Sequence, residues 1–247
     1  MHITTISINL PLAENKIRLF REAVLGIDGI SQEWYNNKKI LKNGKEENLH
    51  RYPPIQFRVL DGFATLWAIN GGAKRLEADL KKKLFLSFFW DGKQRNFQLI
   101  RHFTNASEEA AYTSPSKFYR YRLGNYLPFS NHKPGEKKLS TAEEYKNAAT
   151  LYDKIALLER VLVSHLVLFS YASGWQLAPR QKLKARLVDI TNISDGYYKK
   201  NDKEKEKRYR KFDLLVEINA QLPDGIALGN LTSLGYGVLH RLDTDGR

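Results

Sequence analysis

The chain has no cysteine among its 247 residues. That excludes disulfides, thiolate metal sites and cysteine nucleophiles. It also has no uninterrupted apolar run of the roughly 18 residues that cross a bilayer, so no membrane partner is expected. Residues 1–12 lack the basic-then-apolar layout of a signal peptide and alternate like a strand, which makes a cytoplasmic protein the simplest reading. The six histidines show no metal-ligand spacing, and no paired-carboxylate motif stands out. The glycines fit neither the strand–GxGxxG–helix layout nor a lysine-bearing phosphate loop, so no cofactor and no metal are expected. Acidic residues are few: 27 Asp and Glu face 40 Lys and Arg, a formal net charge of +13. Such an excess calls for a polyanionic partner. The apolar share of 42% and aromatic share of 12% are those of a chain with a packed core.

Periodicity organises the first half as strand, helix, hairpin, helix, strand. Ile6, Ile8 and Leu10 alternate with polar residues, and residues 15–25 carry Ile17, Phe20 and Val24 at helical spacing before Gly26. Ile55, Phe57 and Val59 alternate, Asp61-Gly62 turns the chain, and residues 63–69 return as the partner strand. A basic helix over 73–83 leads to an apolar strand at 84–89. This βαββαβ order is ferredoxin-like. The second half repeats the theme loosely: a strand at 118–123, one long helix over 141–170, strands at 182–190 and from Phe212, and a last strand at 236–242. A glycine-rich segment occupies the place of its second helix. Residues 92–116 are the candidate linker, with 97–103 able to extend the first domain, which gives domains at 1–103 and 118–247 joined by 104–117. Residues 194–211 read as irregular; eight basic residues against Asp202, Glu204 and Glu206 over 199–211 suit either a solvated hairpin tip or an RNA clamp.

Near the C-terminus, residues 222–237 read LPDGIALGNLTSLGYG, a glycine-rich loop ahead of the last apolar strand. Glycine adopts backbone angles that let successive N–H groups converge on an anion, although a turn-rich connection would use the same residues. Lys182, Lys184 and Arg186 alternate with Leu183, Ala185 and Leu187, setting a row of cations on one strand face. Tyr119, Tyr121 and Tyr126 interleave with Arg120 and Arg122, a pattern suited to stacking on unpaired bases or to a buried strand. His165 lies in the apolar stripe of the long helix and reads as a core histidine, whereas His240 reads as a strand-face residue.

Three stretches carry a resemblance to the RAMP superfamily of CRISPR systems, and within it to the endoribonucleases that cut repeat RNA. Arg51-Tyr52-Pro53-Pro54-Ile55-Gln56-Phe57-Arg58 is similar to the family's tyrosine-proline strand, and residues 157–168 to its helix before a basic-faced strand. In the C-terminal loop Leu222, Pro223, Leu228, Gly229, Ser233, Gly235, Tyr236 and Gly237 match the family pattern, while Ala227 and Asn230 replace a glycine and a lysine. The resemblance implies an α+β protein of two tandem ferredoxin-like (RRM-like) domains with a C-terminal glycine-rich loop. It implies CRISPR repeat RNA, precursor and mature guide, as the partner, with other CRISPR effector proteins and a homodimer as further candidates. The implied reaction is metal-independent: a 2′-hydroxyl attacks the adjacent phosphorus and leaves a 2′,3′-cyclic phosphate and a 5′-hydroxyl. The alternative is an inactive repeat- or guide-RNA-binding subunit.

The family's aromatic-His-Asn-His stretch aligns with Trp34-Tyr35-Asn36-Asn37, so both histidine positions are replaced. His50, two residues before Tyr52, is the substitute acid–base candidate, because histidine titrates near neutral pH. Lys45 and Arg51 are placed to meet the scissile phosphate, and Tyr35 to position a 2′-hydroxyl. Arg51, Tyr52, Lys182, Lys184, Arg186, Gly229, Asn230, Ser233, Gly235 and Gly237 complete the expected RNA contacts.

Overall fold

A computed structural model describes residues 1–35, 38–40, 46–48, 52–80, 83–105, 110–112, 114, 116–130, 139–178, 181–198 and 207–242. The chain divides into two α+β units: Met1–Glu109 with Ala172–Gly174 and Ser233–Gly235, and the remainder.

In the first unit, β1 (Ile3–Pro11) is followed by a 3-10 turn and α1 (Ile17–Leu25), then by the short α2 (Gln32–Tyr35), β2 (Lys38–Ile40) and β3 (Glu46–Asn48). Next come β4 (Ile55–Leu60), β5 (Phe63–Ile69), α3 (Gly71–Leu80), β6 (Phe85–Trp90) and β7 (Lys93–Asn105). The main sheet runs β4-β5-β1-β7-β6. Four of its five strands, β4-β5-β1-β7, have the ferredoxin-like order, with one correction. The position beside β1 belongs to β7, paired antiparallel from Ile3↔Asn105 to Ile8↔Leu99. The expected last strand, β6, is instead an added edge strand hairpinned onto β7. Most of the stretch read as linker is therefore sheet, because its mixed composition is that of a strand with one exposed face. The helix face of this unit is dry: Ile6, Ile8, Phe20, Val24, Phe57 and Leu76 are all buried, with Phe20 edge-on to Phe57 at 5.6 Å.

The second unit opens with β8 (Ala111–Tyr112) and β9 (Tyr119–Tyr126), followed by α4 (Thr141–Asn147) and α5 (Leu151–Ser173). Then come β10 (Ala185–Tyr198), β11 (Lys207–Ile218), β12 (Ala220–Gln221) and β13 (Val238–Arg241). Its sheet order, β10-β11-β9-β13, is ferredoxin-like again. The second helix is absent as expected; between β12 and β13 the described residues form only the 3-10 turn Thr232–Leu234.

The single long helix of the sequence reading is two. Ala148 is extended (ψ 121°), and Thr150 restarts the chain. Its hydroxyl accepts from the Asp153 N–H at 3.1 Å while its own N–H reaches the Asp153 carboxylate at 3.1 Å. That reciprocal cap satisfies donors at the start of α5. By length and composition α5 is apolar enough to cross a membrane. Leu158, Leu162, Leu166 and Phe169 are buried along it. Strands β10 and β11 also extend the hairpin through Tyr198 and from Lys207, so the stretch 194–211 is largely regular; its tip, 199–206, lies outside the described residues.

Candidate nucleic-acid interface

The expected basic row starts one turn of chain before its strand. Lys182 and Lys184 precede β10, and what holds them is Asn219, fully buried between β11 and β12. Its side-chain oxygen accepts from the Lys184 N–H at 2.6 Å, and its amide donates to the Lys182 carbonyl at 2.9 Å. The Asn219 N–H in turn reaches the Lys184 carbonyl at 3.2 Å. With Leu183 and Ala185 buried and the backbone clamped, Lys182, Lys184 and Arg186 are all exposed. Sequence reasoning passed over Asn219. A lone asparagine between Ile218 and Ala220, in an otherwise alternating strand, is the signal that marks it.

The row continues across the outward face of the sheet. Register sets Arg186 opposite Glu217 and Glu217 opposite Arg120, and Arg120 is paired to the Glu217 carboxylate at 3.0 Å. Arg122 and His240 are opposite each other on β9 and β13. Around the rim, the Arg186 guanidinium lies 4.0 Å over the Phe118 ring, and Arg241 lies 5.1 Å over Tyr119. His240 stands 3.5 Å from the Asp224 carboxylate and, with the Arg241 N–H, holds that carboxyl below its ordinary range. Lys182, Lys184, Arg186, Arg120, Arg122 and Arg241 outnumber the Glu217 and Asp224 carboxylates named here, a balance that suits a phosphate backbone.

The tyrosines of β9 are not part of that face. Tyr119, Tyr121 and Tyr126 are buried, so the base-stacking expectation gives way to the buried-strand one. Tyr121 donates to the Ala220 carbonyl and accepts from the Leu222 N–H, and burial pushes its phenol up to about 12. Tyr126 keeps to the inner face through a bulge at Gly124-Asn125: Leu214 pairs with Leu123 but Phe212 with Tyr126. Asn125 takes a φ of +51°, its N–H bonded to the Asp213 carboxylate at 2.7 Å.

The glycine segment is stapled to that bulge. The Leu228 N–H bonds the Gly237 carbonyl at 2.8 Å, the Leu239 N–H bonds the Ile226 carbonyl at 2.8 Å, and the Gly237 N–H bonds the Asn125 carbonyl at 3.2 Å. Glycine is obligatory at two positions here. A Cβ on Gly237 (φ +70°) would stand 1.8 Å from the Leu228 carbonyl oxygen, and one on Gly229 (φ +102°) 2.8 Å from the Tyr126 ring. Ser233–Gly235 belong with the first unit, where a Cβ on Gly235 would meet the Phe57 carbonyl oxygen at 3.0 Å. The close approaches made by these glycines are thus to the chain itself.

Asn230 departs from its expected role. Its side-chain amide points at the Leu127, Pro128 and Phe129 carbonyls, at 3.0, 3.3 and 3.2 Å, and its N–H bonds Leu127 as well. Those donors tie down the chain after β9 and are not presented to a phosphate.

Tyr35 departs too. It is 1% exposed, its hydroxyl donating to Asp79 at 3.2 Å on α3, where Arg75 also binds Asp79 at 2.9 Å. Burial, reinforced by the Asp79 carboxylate, pushes its phenol far up, so it stays neutral and closed off from a bound strand. The tyrosine-proline stretch packs on the same helix: a Cβ on Gly72 would lie 2.3 Å from the Pro54 carbonyl oxygen. Tyr52 is half-buried at the start of that stretch. His50, Lys45 and Arg51 lie outside the described residues.

No family model and no curated protein matches the sequence. Solved structures match it by fold. The crystal structure of a Cas6b aligns with a TM-score of 0.71 at 18% identity, covering 98% of this chain and 100% of that one. A Cas6b described as a CRISPR RNA processing endoribonuclease gives 0.60 at 19% identity with the same coverage. Csf5, a type IV CRISPR-Cas Cas6 crRNA endonuclease, gives 0.60 at 11%, again over 98% of this chain and all of that one. The chain has the tandem ferredoxin-like fold of these proteins from end to end.

Proposed function

We propose that this chain is a metal-independent endoribonuclease that processes CRISPR repeat RNA in the cytoplasm. The observation that carries the reading is the build of the second unit, in a fold shared end to end with Cas6b. It is a ferredoxin-like domain whose second helix is replaced by a stapled glycine segment and whose outward face is basic. Arg120, Arg122, Arg186, Lys182 and Lys184 supply charge for the phosphates of a ribose strand.

In the proposed reaction the 2′-hydroxyl at the cut loses its proton and its oxygen bonds to the adjacent phosphorus. The bond from phosphorus to the 5′ oxygen breaks, and that oxygen takes a proton. The products are a 2′,3′-cyclic phosphate and a 5′-hydroxyl, with no water consumed. His50 is the proton-handling group, and Lys45 and Arg51 offset the charge that builds on phosphorus. Tyr35, bonded to Asp79, serves instead to fix α2 on α3.

A second reading, a guide-RNA-binding subunit without cleavage, is favoured by Asn230, which stands where the resemblance calls for a lysine and turns its amide inward. Labelled repeat RNA incubated with the protein in EDTA decides between them. The nuclease reading expects one cut, blocked by a 2′-deoxy at the cleaved nucleotide and slowed ~10²-fold or more in His50→Ala with affinity kept. Tight binding with no product at any pH would leave the binding subunit.

A further inference from the structure

The second unit holds a pocket of about 650 Å³ that the basic sheet face does not use, lined by residues of α4, the chain after β9, and β10 and β11. That size is in the range of small-ligand sites. Its walls follow from the strand pattern. Phe212, Leu214, Val216 and Ile218 are buried on the inner face of β11, so the next two residues of that face, Arg210 and Arg208, continue it beyond the core. Asp195 pairs with Arg210 in register and binds both guanidiniums, which hold its carboxyl below the ordinary range. Lys146 and Lys154 line the same pocket, Lys154 with its ammonium 5.7 Å over the Tyr145 ring. Four cations thus meet one carboxylate among the charged lining residues.

The floor is aromatic and tightly held. Phe129 and Tyr145 lie 4.4 Å apart and tilted by 33°, and both stand edge-on to buried Phe212 at 5.8 and 5.9 Å. Helix α4 is anchored beneath them. Ser140 and Glu143 form a capping box, the Thr141 hydroxyl accepts from the Ser130 N–H at 2.8 Å, and Asn230 binds the Phe129 carbonyl.

We infer that this pocket is a subsite for one unpaired nucleotide, its base against Phe129 and Tyr145 and its phosphate among Lys146, Lys154, Arg208 and Arg210. A flat ring flanked by a phosphodiester anion matches an aromatic floor with cationic walls, and only an unpaired base offers its face. An acidic peptide would satisfy the cations but brings no flat ring to the half-buried Phe129 and Tyr145. Such a subsite does not depend on the identity of the RNA, so a strand unrelated to any repeat can test it.

The probe is a tetraribonucleotide carrying 2-aminopurine, titrated into the full chain by fluorescence. Quenching is expected on binding, and Tyr145→Leu should lose it and weaken affinity roughly 5- to 100-fold. Lys146→Ala with Lys154→Ala should make the log–log salt slope shallower by up to about 0.7, one phosphate's worth. Asp195→Asn, which removes the one countercharge, should tighten binding by up to about 5-fold, a gain no unfolded variant gives. No quenching by wild type, equal affinities throughout, weaker binding by Asp195→Asn, or full competition by hexaglutamate would each overturn the subsite. Repeat RNA cut normally by a protein that fails this test would sink the subsite alone; the tetranucleotide behaving as expected in a protein that ignores repeat RNA would sink the processing function alone.

Discussion

Acid should destabilise the second unit through His165. Its Nδ1 lies 2.8 Å from the Tyr126 hydroxyl, the rings perpendicular at 5.7 Å, in the apolar stripe of α5. Burial lowers its pKa from 6.5 to about 4. Between those values the folded chain keeps the imidazole neutral while the unfolded chain takes up a proton. The unfolded state then binds more protons, so stability rises with pH: it is fully present above 6.5 and lost as pH falls toward 4. At 1.36 kcal/mol per pKa unit, going from pH 7.5 to pH 5 removes about 2 kcal/mol, a sizeable part of the 5–15 kcal/mol typical of a folded protein. Urea unfolding of wild type and His165→Asn at both pH values measures it. Asparagine keeps a hydrogen-bonding group for Tyr126 but cannot titrate. Wild type should lose about 2 kcal/mol more than the variant on acidification. Equal losses would show that the proton is taken up elsewhere and refute the reasoning.

Gly237→Ala places a methyl 1.8 Å from the Leu228 carbonyl oxygen at positive φ, so it should cost roughly 4 kcal/mol or more by thermal or urea melting. Gly62→Ala, at φ +80° in open space, should cost only about 1 kcal/mol. Asn219→Ala leaves the Lys184 N–H and Lys182 carbonyl without their clamp; a loss of about 3 kcal/mol is expected, with weaker RNA binding although no charge has changed. Replacing Lys182, Lys184 and Arg186 together by alanine should flatten the salt dependence of RNA binding by about 0.7 for each phosphate no longer neutralised, with the melting temperature little altered.

Periodicity alone placed β1, α1, β4, β5 and the part of β11 from Phe212, because their apolar positions repeat at a single face. It failed where long-range pairing decides. The choice of β7 over β6 as neighbour of β1 is made by pairing across the sheet, as at Ile3↔Asn105, which no local pattern contains. The break between α4 and α5 was readable in Thr150 and Asp153, a cap signature inside an otherwise helical stretch. The bulge at Gly124-Asn125 hid the fate of Tyr126, since one extra residue moves a side chain to the opposite face. At the interface the cationic row was legible from alternation. The inward turn of Asn230 was not, because it depends on three carbonyls about a hundred residues away in sequence.

The most direct measurement of the central claim is a binding titration comparing the repeat transcript with a scrambled RNA of equal length and composition, at two salt concentrations. A protein built to grip and cut repeat RNA binds the repeat more tightly at both, with an affinity that falls as salt rises. Equal affinity for the two RNAs, or a response flat in salt, would contradict it.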